Sequence, residues 1–249
     1  MHDPADPYQN LPDLADMIVD PGRSAYRNID FAALDRKMAE RGALNWRRTD
    51  EDREATRKAV LGERWNDDLW VFGYASLMWD PGFHFAEARR ATAEGYRRRF
   101  CLKTTLGRGT PEKPGLMAAL DAGGRCEGLA FRIAQPRVEE ETRILWAREM
   151  IMPAYDPRFI ALSTPQGPID ALAFVINHEA ENYLHELSLE ETARCIGTGV
   201  GVFGRNIDYL ENIVAHLAAF DIEDKETLEL HRLARQIAGV TGGADSGAS

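Results

Sequence analysis

One short run fixes where the fold of this chain must begin: Leu69, Trp70, Val71 and Phe72, closed by Gly73. Four consecutive apolar residues stopped by glycine match neither a surface strand, which alternates, nor an amphipathic helix, which repeats every three to four residues. They match a strand buried on both faces. Further β-prone runs follow at residues 97–104, 116–120, 127–133, 159–162 and 171–176, parted by Gly, Pro and Asp. Short runs punctuated in this way predict an α+β protein with a mixed, largely antiparallel sheet or small β-barrel and flanking helices.

Helical spacing lies on both sides of these runs. Asp30 is placed to cap a helix that carries Phe31, Leu34 and Met38 and stops at Gly42. Residues 49–61 are highly charged and read as a solvated helix with one sparse apolar edge, a structural lid or packing element. Residues 138–149 read as another helix, and Ser188 with Glu191 forms a capping box that starts the next. Ile207, Leu210, Ile213, Val214 and Leu217 share one helical stripe; Leu230, Leu233 and Ile237 share a last one. The first 20 residues, with Pro4, Pro7 and Pro12 among acids, predict a loose arm, and the Gly-, Ala- and Ser-rich end predicts a frayed tail. The expected division is a partly helical N-terminal extension at 1–68, one domain at 69–238 and a flexible tail at 239–249.

Composition narrows the function classes. At 249 residues, 44% hydrophobic and 28% charged, the chain can bury a core without disulfides or metal. Its 40 acids against 30 bases leave a net charge of −10, the wrong sign for a chain-wide nucleic-acid footprint. Cys101, Cys126 and Cys195 stand far apart with no C-x-x-C, the pattern of reduced thiols in a cytoplasmic protein. The longest apolar run, 171–176, falls far short of the roughly 20 residues that span a bilayer, and the first residues lack the basic and apolar regions of an export signal. His178 and His185 have no third ligand in view, so no metal is expected.

Gly199, Gly201 and Gly204 spell G-x-G-x-x-G, but a phosphate-cradling loop needs a strand before it, and residues 192–196 look helical. The glycines are therefore expected to permit a flexible turn between two helices. Residues 107–115 do not meet the G-x-x-x-x-G-K-[ST] spacing of an ATP loop. In a strand, Arg97 and Arg99 would point one way and Arg98 with Phe100 the other, so one face is able to offer guanidinium groups to a small carboxylate, although most of this basic stretch reads as solvated surface.

Two further segments carry chemistry. Tyr74, Ala75, Ser76 and Leu77 leave the end of the buried strand with small side chains, a turn that exposes successive backbone N–H groups able to bind a carboxylate or oxyanion. Glu149 ends a helix inside an apolar run. A carboxylate so placed is either paired, with Arg148 as the nearest cation, or raised in pKa and suited to act as a general base, and sequence leaves both open.

In order along the chain, Phe72-Gly73-Tyr74-Ala75-Ser76-Leu77-Met78-Trp79, Arg98-Arg99-Phe100, Arg108-Gly109-Thr110-Pro111-Glu112-Lys113-Pro114-Gly115, Arg148-Glu149 with Tyr155, and Arg205-Asn206 with Tyr209-Leu210 resemble the motifs of ChaC-like γ-glutamylcyclotransferases. The resemblance runs over residues 69–217. It departs at Ala75, where the family usually has glycine, and at Pro153-Ala154, where it usually has a glycine pair. What it implies is a γ-glutamylcyclotransferase-like mixed barrel whose strand-end turn, Tyr74, Ala75, Ser76 and Leu77, wraps the glutamyl part of a γ-glutamyl peptide, usually glutathione. It further implies Glu149 as general acid/base, Tyr155 as a phenol hydrogen-bonding the glutamyl head, and release of 5-oxoproline with no metal, nucleotide or other cofactor. The implied partner is a small molecule, with neither nucleic acid nor membrane, and no oligomeric state follows. Two other readings stand beside it: a non-catalytic binding or regulatory module on the same fold, and a cyclotransferase for another γ-glutamyl amine. Residues 30–61 are a candidate cover over the site.

Overall fold

The computed structural model describes residues 6–44 and 46–239. These fall into two compact units, one taking in the described residues up to Arg99 together with Ala119–Glu181, the other Phe100–Ala118 and the described residues from Asn182 onward.

In the first unit the apolar run forms β1 (Leu69–Gly73), buried along its length but for the half-buried Trp70. It pairs antiparallel with β3 (Gly115–Ile133), Leu69 opposite Ile133 and Gly73 opposite Leu129. On its other side it runs parallel to β5 (Ile169–Ile176), and β4 (Tyr155–Leu162), which contains Pro157, pairs antiparallel with β5. With β2 (Glu87–Thr104), the strand order is β2-β3-β1-β5-β4. Leu120 of β3 also pairs with Val175 of β5, so the sheet curls on itself. The architecture is the expected mixed, mainly antiparallel one.

Strand lengths depart from expectation. Residues 116–120 and 127–133 are parts of one 19-residue strand, joined because Gly123 and Gly124 take φ of +96° and +78° and turn the backbone without leaving the strand. Beside it, β2 runs for 18 residues, starting well before Arg97. Where β1 ends, Gly128 approaches Gly73 so closely that a Cβ at 128 would stand 2.2 Å from the Gly73 carbonyl oxygen; only glycine fits.

The supposed loose arm is packed. Leu11, Leu14 and Ile18 are buried around a 3₁₀ turn at Pro12–Met17, whose proline sits at the start, where its missing N–H costs nothing. The Val19 N–H then donates to the Trp79 carbonyl at 2.7 Å. Pro4 lies outside the described residues. As expected, Asp30 caps α1 (Phe31–Ala39) by accepting the Ala33 N–H at 2.8 Å, and Thr49 caps α2 (Asp50–Leu61).

The inward edge of α2 is not sparse and apolar but arginine-rich: Arg53 and Arg57 are buried beside Leu61. Their guanidinium carbons lie 4.3 Å from the Phe31 ring and 4.7 Å from the Trp65 ring. Arg57 also donates to Thr142 of α3 (Val138–Glu149) at 2.8 Å, so α2 packs through stacked cations. In the first turn of α3, Glu141 is fully buried and receives Arg27 at 2.6 and 3.1 Å and the His84 N–H at 2.9 Å.

In the second unit α4 (Leu189–Thr198) opens on its capping box and α5 (Asn206–Ala219) buries its apolar stripe, whereas α6 (Lys225–Ile237) buries Thr227, Leu230 and Ala234 and leaves Ile237 of its expected stripe exposed. Of the three glycines between α4 and α5, Gly201 and Gly204 belong to a two-stranded hairpin, β6 (Val200–Gly201) and β7 (Gly204–Arg205), and Gly199 caps α4 just before it, so the segment is not a flexible turn. A Cβ at Gly199 would stand 2.8 Å from the Arg108 carbonyl oxygen and one at Gly201 2.5 Å from that of Gly107, so these glycines permit backbone-to-backbone packing. Asn206 is buried and exchanges two hydrogen bonds with the Leu116 backbone, at 2.7 and 2.9 Å. The tail beyond Gly239 lies outside the described residues, among which no helix is long and apolar enough to cross a membrane.

Candidate functional site

The turn after β1 is built by its neighbours. Ser76–Met78 form one turn of 3₁₀ helix in which the Met78 and Trp79 N–H groups donate to the Ala75 and Ser76 carbonyls at 2.8 and 3.3 Å. The first N–H groups of a helical turn have no carbonyl to reach within it, so those of Ala75, Ser76 and Leu77 are not consumed by this turn. Arg98, buried in β2, holds the turn from behind, its Nε donating to the Tyr74 carbonyl at 2.6 Å and its Nη2 to that of Glu127 at 2.8 Å. This corrects the expectation of a guanidinium face open to a small carboxylate: Arg98 is a backbone anchor, and Arg99 is paired with Asp121 at 2.9 Å.

Ala75 has φ −140°, so the position does not demand glycine. Ala75→Gly is therefore expected to cost from about 0.4 to 1 kcal/mol through the entropy of the unfolded chain and to leave turnover nearly unchanged. Thermal melts with steady-state kinetics check this, and a raised Tm would contradict it.

Glu149 is the last residue of α3. Its Oε1 lies 2.9 Å from Nε of Arg148, and the two side chains are 14% and 5% exposed. The same guanidinium donates through Nη2 to Ser76 Oγ at 2.7 Å and through Nη1 to the Asp80 carbonyl, stitching the helix end to the strand-end turn. Of the alternatives that sequence left open, pairing and raised pKa, Glu149 has both. Burial lifts its carboxyl above the ordinary carboxylate range, and the charge and hydrogen bond of Arg148 pull it back only in part.

Tyr155 opens β4, and its ring stands edge-on to Phe174 at 6.5 Å. Trp146 of α3 meets the same Phe174 ring at 5.4 Å, and the Phe174 carbonyl accepts the Tyr74 hydroxyl at 2.9 Å. The loop between Glu149 and Tyr155 is pinned at two carbonyls, Ile151 by the Arg48 N–H at 2.8 Å and Ala154 by the Asn177 N–H at 2.9 Å. The structure thus gathers Tyr74, Ala75, Ser76 and Leu77 with Glu149 through Arg148, and Tyr74 with Tyr155 through Phe174. Tyr74 turns its side chain into the core, so its backbone is what it offers the site. Sequence reasoning missed the stitching by Arg148, the anchor at Arg98, and Tyr26, whose ring lies 3.9 Å from the Arg148 guanidinium carbon. Adjacency to Glu149 marked Arg148; no pattern marked Tyr26.

A largely buried carboxylate of raised pKa, tied through Arg148 to a turn with backbone N–H groups to spare, is able to take and return a proton while an anionic group is held by that turn. Residues 69–238 match the family described as ChaC-like protein. The chain is 36% identical over 176 residues to the glutathione-specific gamma-glutamylcyclotransferase of Escherichia coli (strain K12), covering 70% of this chain and 76% of that one. It is 35% identical over 147 residues to the glutathione-specific gamma-glutamylcyclotransferase 1 of Mus musculus, covering 57% and 66%. Among solved structures, a gamma-glutamyl cyclotransferase specific to glutathione from yeast superposes with a TM-score of 0.63 at 20% identity over 69% of this chain and 97% of that one, a likeness of fold.

Proposed function

The chain belongs to the ChaC-like protein family, and from that footing we propose that it is a γ-glutamylcyclotransferase cleaving glutathione, or a closely related γ-glutamyl peptide, to 5-oxoproline and cysteinylglycine. The observation that carries this reading is Glu149, largely buried and tied by Arg148 to the turn at Ser76. Residues 69–238 are the catalytic domain in this proposal and residues 1–68 its extension, working in the reducing cytoplasm, where glutathione is found.

The reaction needs little from the enzyme beyond folding the substrate and moving a proton. Glu149 takes a proton from the substrate α-ammonium, and the freed amine attacks the γ-carbonyl carbon of the same glutamyl group. The new carbon–nitrogen bond closes the five-membered ring; Glu149 passes its proton to the cysteine nitrogen as the bond to it breaks, then takes the second proton from the ring nitrogen and hands it to the departing amine, which leaves as its ammonium. The atoms balance without water or a covalent enzyme intermediate. Holding amine and carbonyl together is worth up to about 7 to 11 kcal/mol in well-oriented intramolecular systems. The N–H groups of Ala75, Ser76 and Leu77 anchor the α-carboxylate or the developing oxyanion, where each donor is worth about 3 to 4 kcal/mol. Tyr155 gives its phenol to the glutamyl head.

Because Glu149 must start charged, its raised pKa sets the acid side of the rate profile. The acidic limb of kcat/KM is expected to have its midpoint above 4.5, the ordinary value for glutamate; a profile from pH 4 to 9 in which the limb lies at or below that value would contradict the assignment. The stability effect has the opposite sense. Folding favours the protonated carboxyl, so this group's contribution is largest below about 4.5 and declines as pH rises through its raised value.

The decisive experiment is incubation with glutathione, beside a panel of other γ-glutamyl amines, with 5-oxoproline and cysteinylglycine followed by mass spectrometry. Their stoichiometric appearance without an added cofactor is expected. Binding without turnover of any member of the panel would sink the proposal.

A further inference from the structure

The contacts of Arg148 reach beyond the segments that carry the proposed site. Its Nη2 and Nη1 serve Ser76 and Asp80, its Nε faces Glu149, and the face of its guanidinium is covered by the Tyr26 ring. Tyr26 lies outside the residues 69–238 that match the family. It is held in place locally, its N–H donating to Oγ of the buried Ser24 at 3.1 Å while the next residue, Arg27, grips Glu141. Gly82 leaves room beneath the stack: a Cβ there would stand 3.2 Å from the Tyr26 Cβ and 3.8 Å from Arg148 Nη1. Tyr26 is itself 39% exposed while the Arg148 side chain is 5% exposed, so the ring stands between the guanidinium and water.

We infer that Tyr26 is a positioning residue for the reaction: by stacking on Arg148 it holds the guanidinium in the orientation that presents Nε to Glu149 while Nη1 and Nη2 stay on Asp80 and Ser76. The inference rests on Glu149 being the proton-transferring carboxylate. A guanidinium donates only in its plane, so its three partners fix that plane, and a ring laid against the face opposes tilting out of it. Without the ring, water reaches the face and competes for the N–H groups, and the Glu149 carboxylate swings with its loosened partner. A reacting group displaced by a fraction of an ångström slows the chemical step without changing how substrate is bound.

The test compares full-length wild type, Tyr26→Ala, Tyr26→Phe and Tyr8→Ala with glutathione as substrate. Tyr26→Ala is expected to lower kcat about five- to twenty-fold with KM within about twofold of wild type, the signature of an effect on chemistry rather than on binding. Tyr26→Phe restores kcat to within about twofold, since stacking needs the ring and not the hydroxyl. Tyr8→Ala removes a different ring of the extension, one packed edge-on against Phe85 at 5.6 Å, and lowers Tm with kcat kept. In an Arg148→Lys background, adding Tyr26→Ala costs less than about twofold more, because the two act as one unit.

Unchanged kcat in Tyr26→Ala, failure of Tyr26→Phe to rescue, an equal loss in Tyr8→Ala, or full additivity with Arg148→Lys would each overturn the inference. A second readout does not depend on turnover. The Arg148 Nε–H cross-peak in ¹H–¹⁵N spectra is expected to be protected from solvent exchange in wild type and Tyr26→Phe and lost to exchange in Tyr26→Ala. The same cross-peak in Tyr26→Ala as in wild type overturns the inference even if no γ-glutamyl compound is turned over, a result that would separately strike the functional proposal.

Discussion

Replacing Glu149 by glutamine is expected to lower glutathione turnover by about two to four orders of magnitude, the usual contribution of a general acid–base group. Glutamine keeps the volume of the side chain and a hydrogen-bonding oxygen toward Arg148, but it has no basic oxygen to take the ammonium proton. The fold loses little, because burial already disfavours the charged carboxylate in the native state. Steady-state kinetics, thermal melts and glutathione binding by calorimetry separate these effects. A variant that binds and melts like wild type but keeps more than a tenth of its turnover would make Glu149 structural.

The second large effect is expected in stability. Arg27→Ala removes the cation that meets both oxygens of Glu141, a side chain with 0% exposure. Breaking a buried ion pair from one side typically costs about 3 to 5 kcal/mol, because the remaining charge is left without compensation. Glu141 keeps the His84 N–H at 2.9 Å and Arg137 at 3.6 Å, so the lower end, about 3 kcal/mol, is expected. Urea unfolding measures it. Adding Glu141→Gln should recover part of the loss, since a neutral amide is cheaper to leave buried. A loss below about 1 kcal/mol would mean that the carboxylate reaches water when Arg27 is gone.

What sequence made legible was local in its physics. The apolar run at Leu69 to Phe72, the caps at Asp30 and Ser188, and the stripe of α5 each depend on residues a few positions apart, and all of them fold as expected. The misreadings concern partners distant in the chain. Arg53 and Arg57 look like solvated charges until Phe31, Trp65 and Thr142 are placed against them. Leu11, Leu14 and Ile18 sit among prolines and acids, where propensity predicts nothing ordered, and only the core they join makes them structure. The candidate site divides in the same way. Glu149, the turn at Ala75 and Arg98 all stand in motifs, but the part Arg98 plays shows only in the carbonyls it reaches, and Tyr26, outside any motif, gains its part only from the arginine beneath it.

The sheet order ends at β4, which is tied to β2 just past its end, where Thr92 and Ser163 exchange two backbone hydrogen bonds at 2.9 Å, and the composition of the rest of that strand governs how the protein behaves in a crowd of its own copies. An outermost strand presents a row of backbone donors and acceptors on which another chain can template. In β4 this row is interrupted by Pro157, which has no N–H to give, and flanked by the exposed Asp156–Arg158 ion pair at 3.2 Å. A strand docking there from another molecule would lack a hydrogen bond at its centre and would have to strip water from both charges. Pro157→Val, which fits the register and restores the donor, would turn a self-limiting edge into one that recruits neighbours, and the protein would reach its aggregation threshold at a lower concentration.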